Sequence, residues 1–314
     1  MSKNRVAHSA AVLLILLASL GQAESEGQDR SQPVQYRQEP APLTLALIRG
    51  NLYEVRGGSG ANGGAYIRDQ SVLVIDAKMT EDSARALVEK IAELTTAPIS
   101  WLVLTHSDGD HVNGLPGFPR GVPLVAHRNA KRDMDAAFED DAFKDGLNWM
   151  ILMMDTGVLP IVLKPKDNEE KRVEIHHFGP AHTDSDLVVF FPEEKVAFVG
   201  DLLFFERDPL IHLHKNGTFR GLVAALKGLL ALDAEIYLSG HSGPAGKEDV
   251  KTLLAGLEEK QAKIESLIAQ NKSLEDVKAA FGVPAEPSAV SGRPRRPGLV
   301  EIIYRELTEK KPGR

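Results

Sequence analysis

His106-Ser107-Asp108-Gly109-Asp110-His111 decides how the rest of this chain is read. Four side chains that can bind a metal ion, His106, Asp108, Asp110 and His111, fall within six residues. They follow directly on the compact apolar run Ile99 to Leu104, which reads as a buried strand. A strand that runs into a tight loop turns neighbouring side chains toward one point, and Gly109 and Gly114 are expected to give that loop its backbone freedom. Carboxylate and imidazole donors together suit zinc, manganese or iron.

A lone His-Asp pair would be a polar surface turn, so the reading depends on what lies further along. His182 stands in Gly179-Pro180-Ala181-His182-Thr183-Asp184-Ser185-Asp186, between the strand patterns Val173 to His177 and Leu187 to Phe191. Gly200-Asp201 ends the pattern Ala197 to Val199, and Ser239-Gly240-His241-Ser242-Gly243 follows Ile236 to Leu238. Every candidate ligand therefore sits at a strand terminus, where a rigid sheet can hold loops in convergence.

The remaining pattern alternates strands and helices in two halves. Thr44 to Ile48, Leu52 to Val55, Ala65 to Ile67 and Val72 to Ile75 read as strands, with the glycine-rich stretch 57–64 between the two pairs. Thr80 to Leu94 reads as a helix capped by Thr80, and Phe219 to Leu232 as a second amphipathic helix. Leu124 to Ala126 and Ile161 to Leu163 are further strands; 131–156 reads as helical, with Met150, Met153 and Met154 as core packing near its end. Lys247 to Asn271 is a long charged helix, Ser273 to Phe281 a shorter one opened by a Ser-x-x-Asp cap, and Val300 to Leu307 a last short element. The class is α/β, with strands between helices.

Composition narrows the chemistry. Of the 314 residues, 43% are hydrophobic, which suffices for a large core, and the net charge of -7 argues against a nucleic-acid binder. Arg293, Arg295 and Arg296, the one basic cluster, lie among prolines and read as a solvated tail. The chain has no cysteine, which rules out a thiolate nucleophile and thiolate ligands. Lys3 and Arg5, an apolar run from Ala10 to Leu20, and Gly21-Gln22-Ala23 have the anatomy of an export signal cut after Ala23. The expected organisation is a signal over 1–23, a flexible lead-in over 24–43, a main domain over 44–246 and a helical extension with a proline-rich tail over 247–314. The protein is expected to be periplasmic or secreted, with no stable membrane anchor after cleavage and no nucleic-acid partner. The C-terminal helices are left to pack on the domain, cover the site or mediate dimerisation.

Asp76 at a strand end, the His106 to His111 segment, His182, Gly200-Asp201 and His241, in that order, resemble the metallo-β-lactamase fold superfamily over nearly all of residues 44–242. The resemblance implies a four-layer αββα sandwich with two divalent ions, zinc first and manganese or iron as alternatives, at one edge of the sheets. It implies one ion held by His106, Asp108 and His182, a second by Asp110, His111 and His241, and Asp201 as a bridge. One position departs: Asp108 stands where the family usually has a second histidine, so the first ion is expected to be less Lewis acidic or its site weak. Asp76 is expected to support the loop by hydrogen bonding and Asp110 also to orient the attacking water. His127 reads as structural; one of His176 and His177 is expected to face the site. The loop with His212, His214, Lys215 and Asn216 reads either as a substrate contact or as a solvated turn.

The chemistry implied is attack of a metal-bridging hydroxide on a small-molecule substrate, a small ester, lactone or amide. The absence of cysteine excludes lactamase subclasses with a cysteine ligand, and Asp201 resembles the thioesterase and lactonase branches. A β-lactamase-like amidase and a non-catalytic periplasmic metal-binding accessory protein are the alternatives.

Overall fold

In the computed structural model the described residues are 41–137, 152–154, 157–163, 171–284 and 296–309. The proposed signal and all but the end of the lead-in therefore lie outside them. Two sheets form the centre. The first has seven strands in chain order: β1 (Thr44–Arg49), β2 (Leu52–Arg56), β3 (Gly63–Arg68), β4 (Ser71–Ile75), β5 (Ile99–Val103), β6 (Leu124–His127) and β7 (Leu152–Met154). The second comprises β8 (Gly157–Leu163), β9 (Lys171–His177), β10 (Val188–Phe191), β11 (Val196–Phe198), β12 (Ile236–Leu238) and β13 (Ala245–Gly246), ordered β13-β12-β11-β10-β9-β8.

The period-two alternation of the strands generates the layers. Leu73 and Ile75 of β4 and Val103 of β5 point between the sheets, where they meet Val189 and Phe191 of β10 and Leu238 of β12. Their neighbours Val72, Val74, Leu102 and Leu104 point the other way. There they pack against Ala84, Leu87 and Ile91 of α1 (Glu81–Ala92) and Ala130 and Met134 of α3 (Arg128–Ala137). Between these helices lies the single turn α2 (Gly109–Val112). On the far side Val188, Phe190, Ala197 and Tyr237 cover α4 (Phe219–Ala231). The result is the four-layer αββα sandwich. The C-terminal helices α5 (Lys247–Ala269), α6 (Leu274–Ala280) and α7 (Leu299–Thr308) pack into the same outer core as α4, through Val250, Leu254, Ile264, Val277 and Ile303. A fully buried Leu87 in such a layer costs about 2–5 kcal/mol to truncate to alanine.

Local signals set the helix starts. Thr80 accepts a hydrogen bond from Ser83 N at the head of α1, and Ser273 with Asp276 forms a capping box on α6. The helix expected over 131–156 starts earlier and does not hold at 152–154, while 138–151 lie outside the described residues. Helix α3 begins at Arg128 and is described to Ala137, whereas Leu152–Met154 is a strand paired in parallel with β6. Leucine and methionine favour helix, but the open edge of β6 supplies a ladder of hydrogen bonds that outweighs this weak preference. The side chains of Met150, Met153 and Met154 lie outside the described residues. Strand β8 starts earlier than expected, at Gly157, and Pro160 fits there because β8 is an edge strand.

Candidate metal centre

The site grows from strand ends along one edge of the sandwich. Strand β4 stops at Asp76, whose backbone takes the left-handed conformation (φ 61°) that aspartate tolerates better than most residues. Its carboxylate then turns inward and accepts hydrogen bonds from Thr105 N (2.8 Å), Thr105 Oγ1 (2.9 Å) and His111 Nδ1 (2.7 Å). Asp76 thus ties the end of β5 to the metal-loop helix α2, the supporting role expected from the sequence.

Three buried histidines are aimed by the same device. His111 Nδ1 donates to Asp76, and His182 Nδ1 donates to the carbonyl of Leu210 (2.8 Å). His106 Nδ1 lies 3.0 Å from Thr105 Oγ1. A ring fixed through Nδ1 presents its Nε2 lone pair to the other side. His106 Nε2, His111 Nε2 and Asp201 Oδ1 are buried without a hydrogen-bond partner, although His111 Nε2 and Asp201 Oδ1 are only 3.2 Å apart. Unpartnered buried polar atoms are costly, so several converging on one point mark a place built for a cation.

The donor atoms fall into three overlapping trios, each within 4.8 Å: His106 with Asp108 and His182, Asp110 with His111 and His241, and His106 with His111 and Asp201. His241 Nε2 is 3.1 Å from both Asp110 Oδ2 and Asp201 Oδ2. Burial alone would push the Asp201 carboxyl up, but His111 and His241 hold it well below the usual carboxylate range. All seven residues singled out in the sequence are therefore brought together, and nitrogen and carboxylate oxygen donors of this kind fit divalent metal.

Asp108 has other company too. Lys215 Nζ donates to its Oδ1 (2.7 Å), and Oδ2 lies 2.8 Å from His212 Nε2 and 3.3 Å from His182 Nε2. Burial opposes ionisation, yet the neighbouring His182 and His212 imidazoles hold this carboxyl far below its ordinary value. Lys215 also bonds the carbonyl and hydroxyl of Ser107, so the 210–217 loop is clamped to the metal loop. That loop is a wall of the site and not a solvated turn.

The other expectations resolve one by one. His127 stacks on His177 at 4.2 Å, and His177 Nδ1 bonds the Asp186 carbonyl. His176 bonds Glu174, so neither His176 nor His177 enters the ligand trios. Asp186 caps Thr183, and Asp184 accepts from Asn216. Gly109 and Gly114 are needed for space: a Cβ on Gly114 would lie 2.0 Å from the Ala77 carbonyl oxygen, and neither glycine has positive φ. Arg296, expected in a solvated tail, lines the cleft of about 550 Å³ that opens onto the trios.

Sequence reading also missed Lys78, buried behind the site. Its ammonium donates to the carbonyls of Gly60 and Ala61, fastening the 57–64 loop, and burial pushes it down to about 8 against the pull of Asp76 and Asp110. The position shows in sequence only as a lysine two residues past Asp76.

This edge-bound cluster on a four-layer sandwich is a group of side chains that could hold metal. The chain belongs to the metallo-beta-lactamase superfamily, whose sequence model matches residues 56–241. It is similar to the 2,4-dinitroanisole O-demethylase subunit alpha of Nocardioides sp. (strain JS1661), 22% identical over 216 residues, 68% of this chain and 62% of that protein. It is also similar to the linear primary-alkylsulfatase of Pseudomonas sp. (strain ATCC 19151), 19% identical over 222 residues, 59% of this chain and 42% of that protein. The chain thus matches less than two thirds of the length of these curated relatives. Among solved structures, a metallo-beta-lactamase from Pontibacter korlensis superposes with a TM-score of 0.53 at 17% identity, covering 69% of this chain and 99% of the other, which supports the shared fold. Membership and the histidine–aspartate trios together support a metal-dependent, hydrolase-type protein.

Proposed function

We propose that this chain is an exported hydrolase that uses two divalent ions, zinc first, to cleave a small ester, lactone or amide. The observation that carries the reading is the set of three buried histidines with Nδ1 tied outward and Nε2 converging beside Asp201. His106, Asp108 and His182 would hold one ion, Asp110, His111 and His241 the other, with Asp201 between them. Bound there, divalent ions supply Lewis acidity and make water a nucleophile near neutral pH. Asp110 lines the cleft and would orient a water there by accepting its hydrogen bond. The loop 210–217, clamped through Lys215, walls the cleft and limits how a substrate can approach. The name of one relative, an alkylsulfatase, favours the ester arm over the amide arm. Export rests on Lys3, Arg5, the apolar run 10–20 and Ala23, and a mature N-terminus at Glu24 in the periplasm or medium checks it.

One observation favours a second reading, a metal-binding accessory protein without turnover. Both oxygens of Asp108 already have protein donors, which weakens it as a ligand. Metal analysis of protein purified without added metal, with turnover of a chromogenic ester, lactone and cephalosporin panel, separates the two. The hydrolase reading expects two ions per chain and activity on an ester or lactone that a chelator abolishes. Activity confined to the cephalosporin moves the assignment to an amidase. Bound metal with no turnover on any member leaves the accessory reading.

A further inference from the structure

Beyond the ligands, the cleft wall carries charge that the ions do not need. Arg207, Lys215 and Arg296 line it together with His214. Among the described residues, neither Arg207 nor Arg296 has an acidic partner. Arg207 is held in place all the same. Its guanidinium lies over the Phe204 ring at 4.5 Å, and Phe204, itself buried, stacks on the His241 ring at 5.7 Å and 12°. This ladder sets a planar cation at the mouth, one ring away from a candidate ligand. His214, in the same lining, is held below its usual value first by burial, then by the positive charges of His212, Lys215 and Arg296.

The acids that line the cleft, Asp108, Asp110 and Asp201, are all candidate ligands. Their three charges are matched by the two arginines and Lys215, so the charge of two divalent ions is left uncompensated. A chain with a net charge of -7 thus presents a positive mouth. Met79, a large apolar side chain that is 47% exposed, and Leu210 border the same opening. Arginine suits carboxylate, sulfate or phosphate oxygens because its planar fork can donate two parallel hydrogen bonds.

We infer that the cleft selects substrates bearing an oxyanion at or beside the scissile bond, on an apolar body, with Arg207 and Arg296 as the residues that recognise the charge. The inference rests on the hydrolase reading for its substrate but not for its binding chemistry. Three para-nitrophenyl compounds test it: the acetate is neutral, the hemisuccinate carries a carboxylate beside the ester, and the sulfate places the anion at the bond. The expected result is a higher kcat/KM for at least one anionic compound than for the acetate. In R207E/R296E that ratio falls about tenfold, and added salt lowers it in the unaltered protein. Preference for the hemisuccinate places the oxyanion beside the bond, and preference for the sulfate places it at the bond. A ratio unmoved by the double charge reversal, or a preference for the acetate, overturns the inference. If none of the three is turned over, calorimetric titration of the metal-loaded protein with hexanesulfonate decides separately. Binding about tenfold weaker in R207E/R296E keeps the anion site while the hydrolase reading falls, and equal binding sinks the anion site as well.

Discussion

The two principal candidate trios share the edge of one sandwich, yet they are held in opposite ways. In the trio of Asp110, His111 and His241, the buried imidazole of His111 is backed by the Asp76 carboxylate at 2.7 Å. In the trio of His106, Asp108 and His182, the carboxylate of Asp108 is backed by the Lys215 ammonium at 2.7 Å and by His212 at 2.8 Å. A carboxylate behind an imidazole makes it a stronger donor to a metal and fixes its tautomer. A cation behind a carboxylate does the reverse, drawing charge away from the oxygens a metal would use. The first arrangement is built for affinity; the second trades affinity for lower charge and a fixed wall.

The strongest way to break this contrast is Asp76→Ala. The change leaves Thr105 N–H, Thr105 O–H and His111 Nδ1–H without their acceptor in a buried place. Each orphaned donor costs about 1–3 kcal/mol, so a loss of about 3 kcal/mol or more is expected in urea unfolding. Metal affinity at the His111 trio should fall about a hundredfold, read by competition with a coloured chelator. Unchanged stoichiometry and stability would show that His111 needs no carboxylate behind it.

Gly240→Ala should act on the same trio through space alone. A Cβ there would lie 2.5 Å from Asp201 Oδ1 and 2.7 Å from His111 Cε1, so both ligands must move. Overpacking of this kind costs about 1–3 kcal/mol and should cost metal occupancy with it. Gly243→Ala is the control, because nothing lies within 4 Å of its added Cβ. Equal occupancy in the two variants would mean that the ligand positions tolerate displacement.

How much of this was legible in the sequence follows the same division. The seven ligand candidates could be read because each ends a short apolar strand pattern, and strand ends are marked locally. Asp76 could be read for the same reason. The partners of Asp108 could not, since Lys215 is 107 positions away and reaches it only because the 210–217 loop folds over the 181–184 loop, with His212 N bonded to the His182 carbonyl. Arg296 was hidden in the same way: proline-rich sequence around it signals exposure, while its place at the cleft is fixed by α7 docking on α4 and α5. The strand Leu152–Met154 was misread because its pairing edge, β6, lies outside any local window.

The smallest effects probe the Asp108 trio. Asp108→His puts back the histidine that the family usually has at this position, yet the partners of Asp108 argue against a gain in zinc. A histidine at 108 cannot accept from Lys215 and His212 as the carboxylate does, so the largely buried ammonium is left beside the ions with its carboxylate gone. Asp108→His alone should therefore lower metal affinity at this trio, by about tenfold. Adding Lys215→Met removes the stranded charge, and the double variant should recover most of that loss. Lys215→Met by itself should raise affinity modestly, because Asp108 regains the oxygen it lends to the lysine. Zinc stoichiometry and competition titrations on the three variants read all of this without any substrate. If Asp108→His alone gains zinc, Lys215 does not govern this end of the site, and the contrast between the two trios reduces to a difference in ligand type.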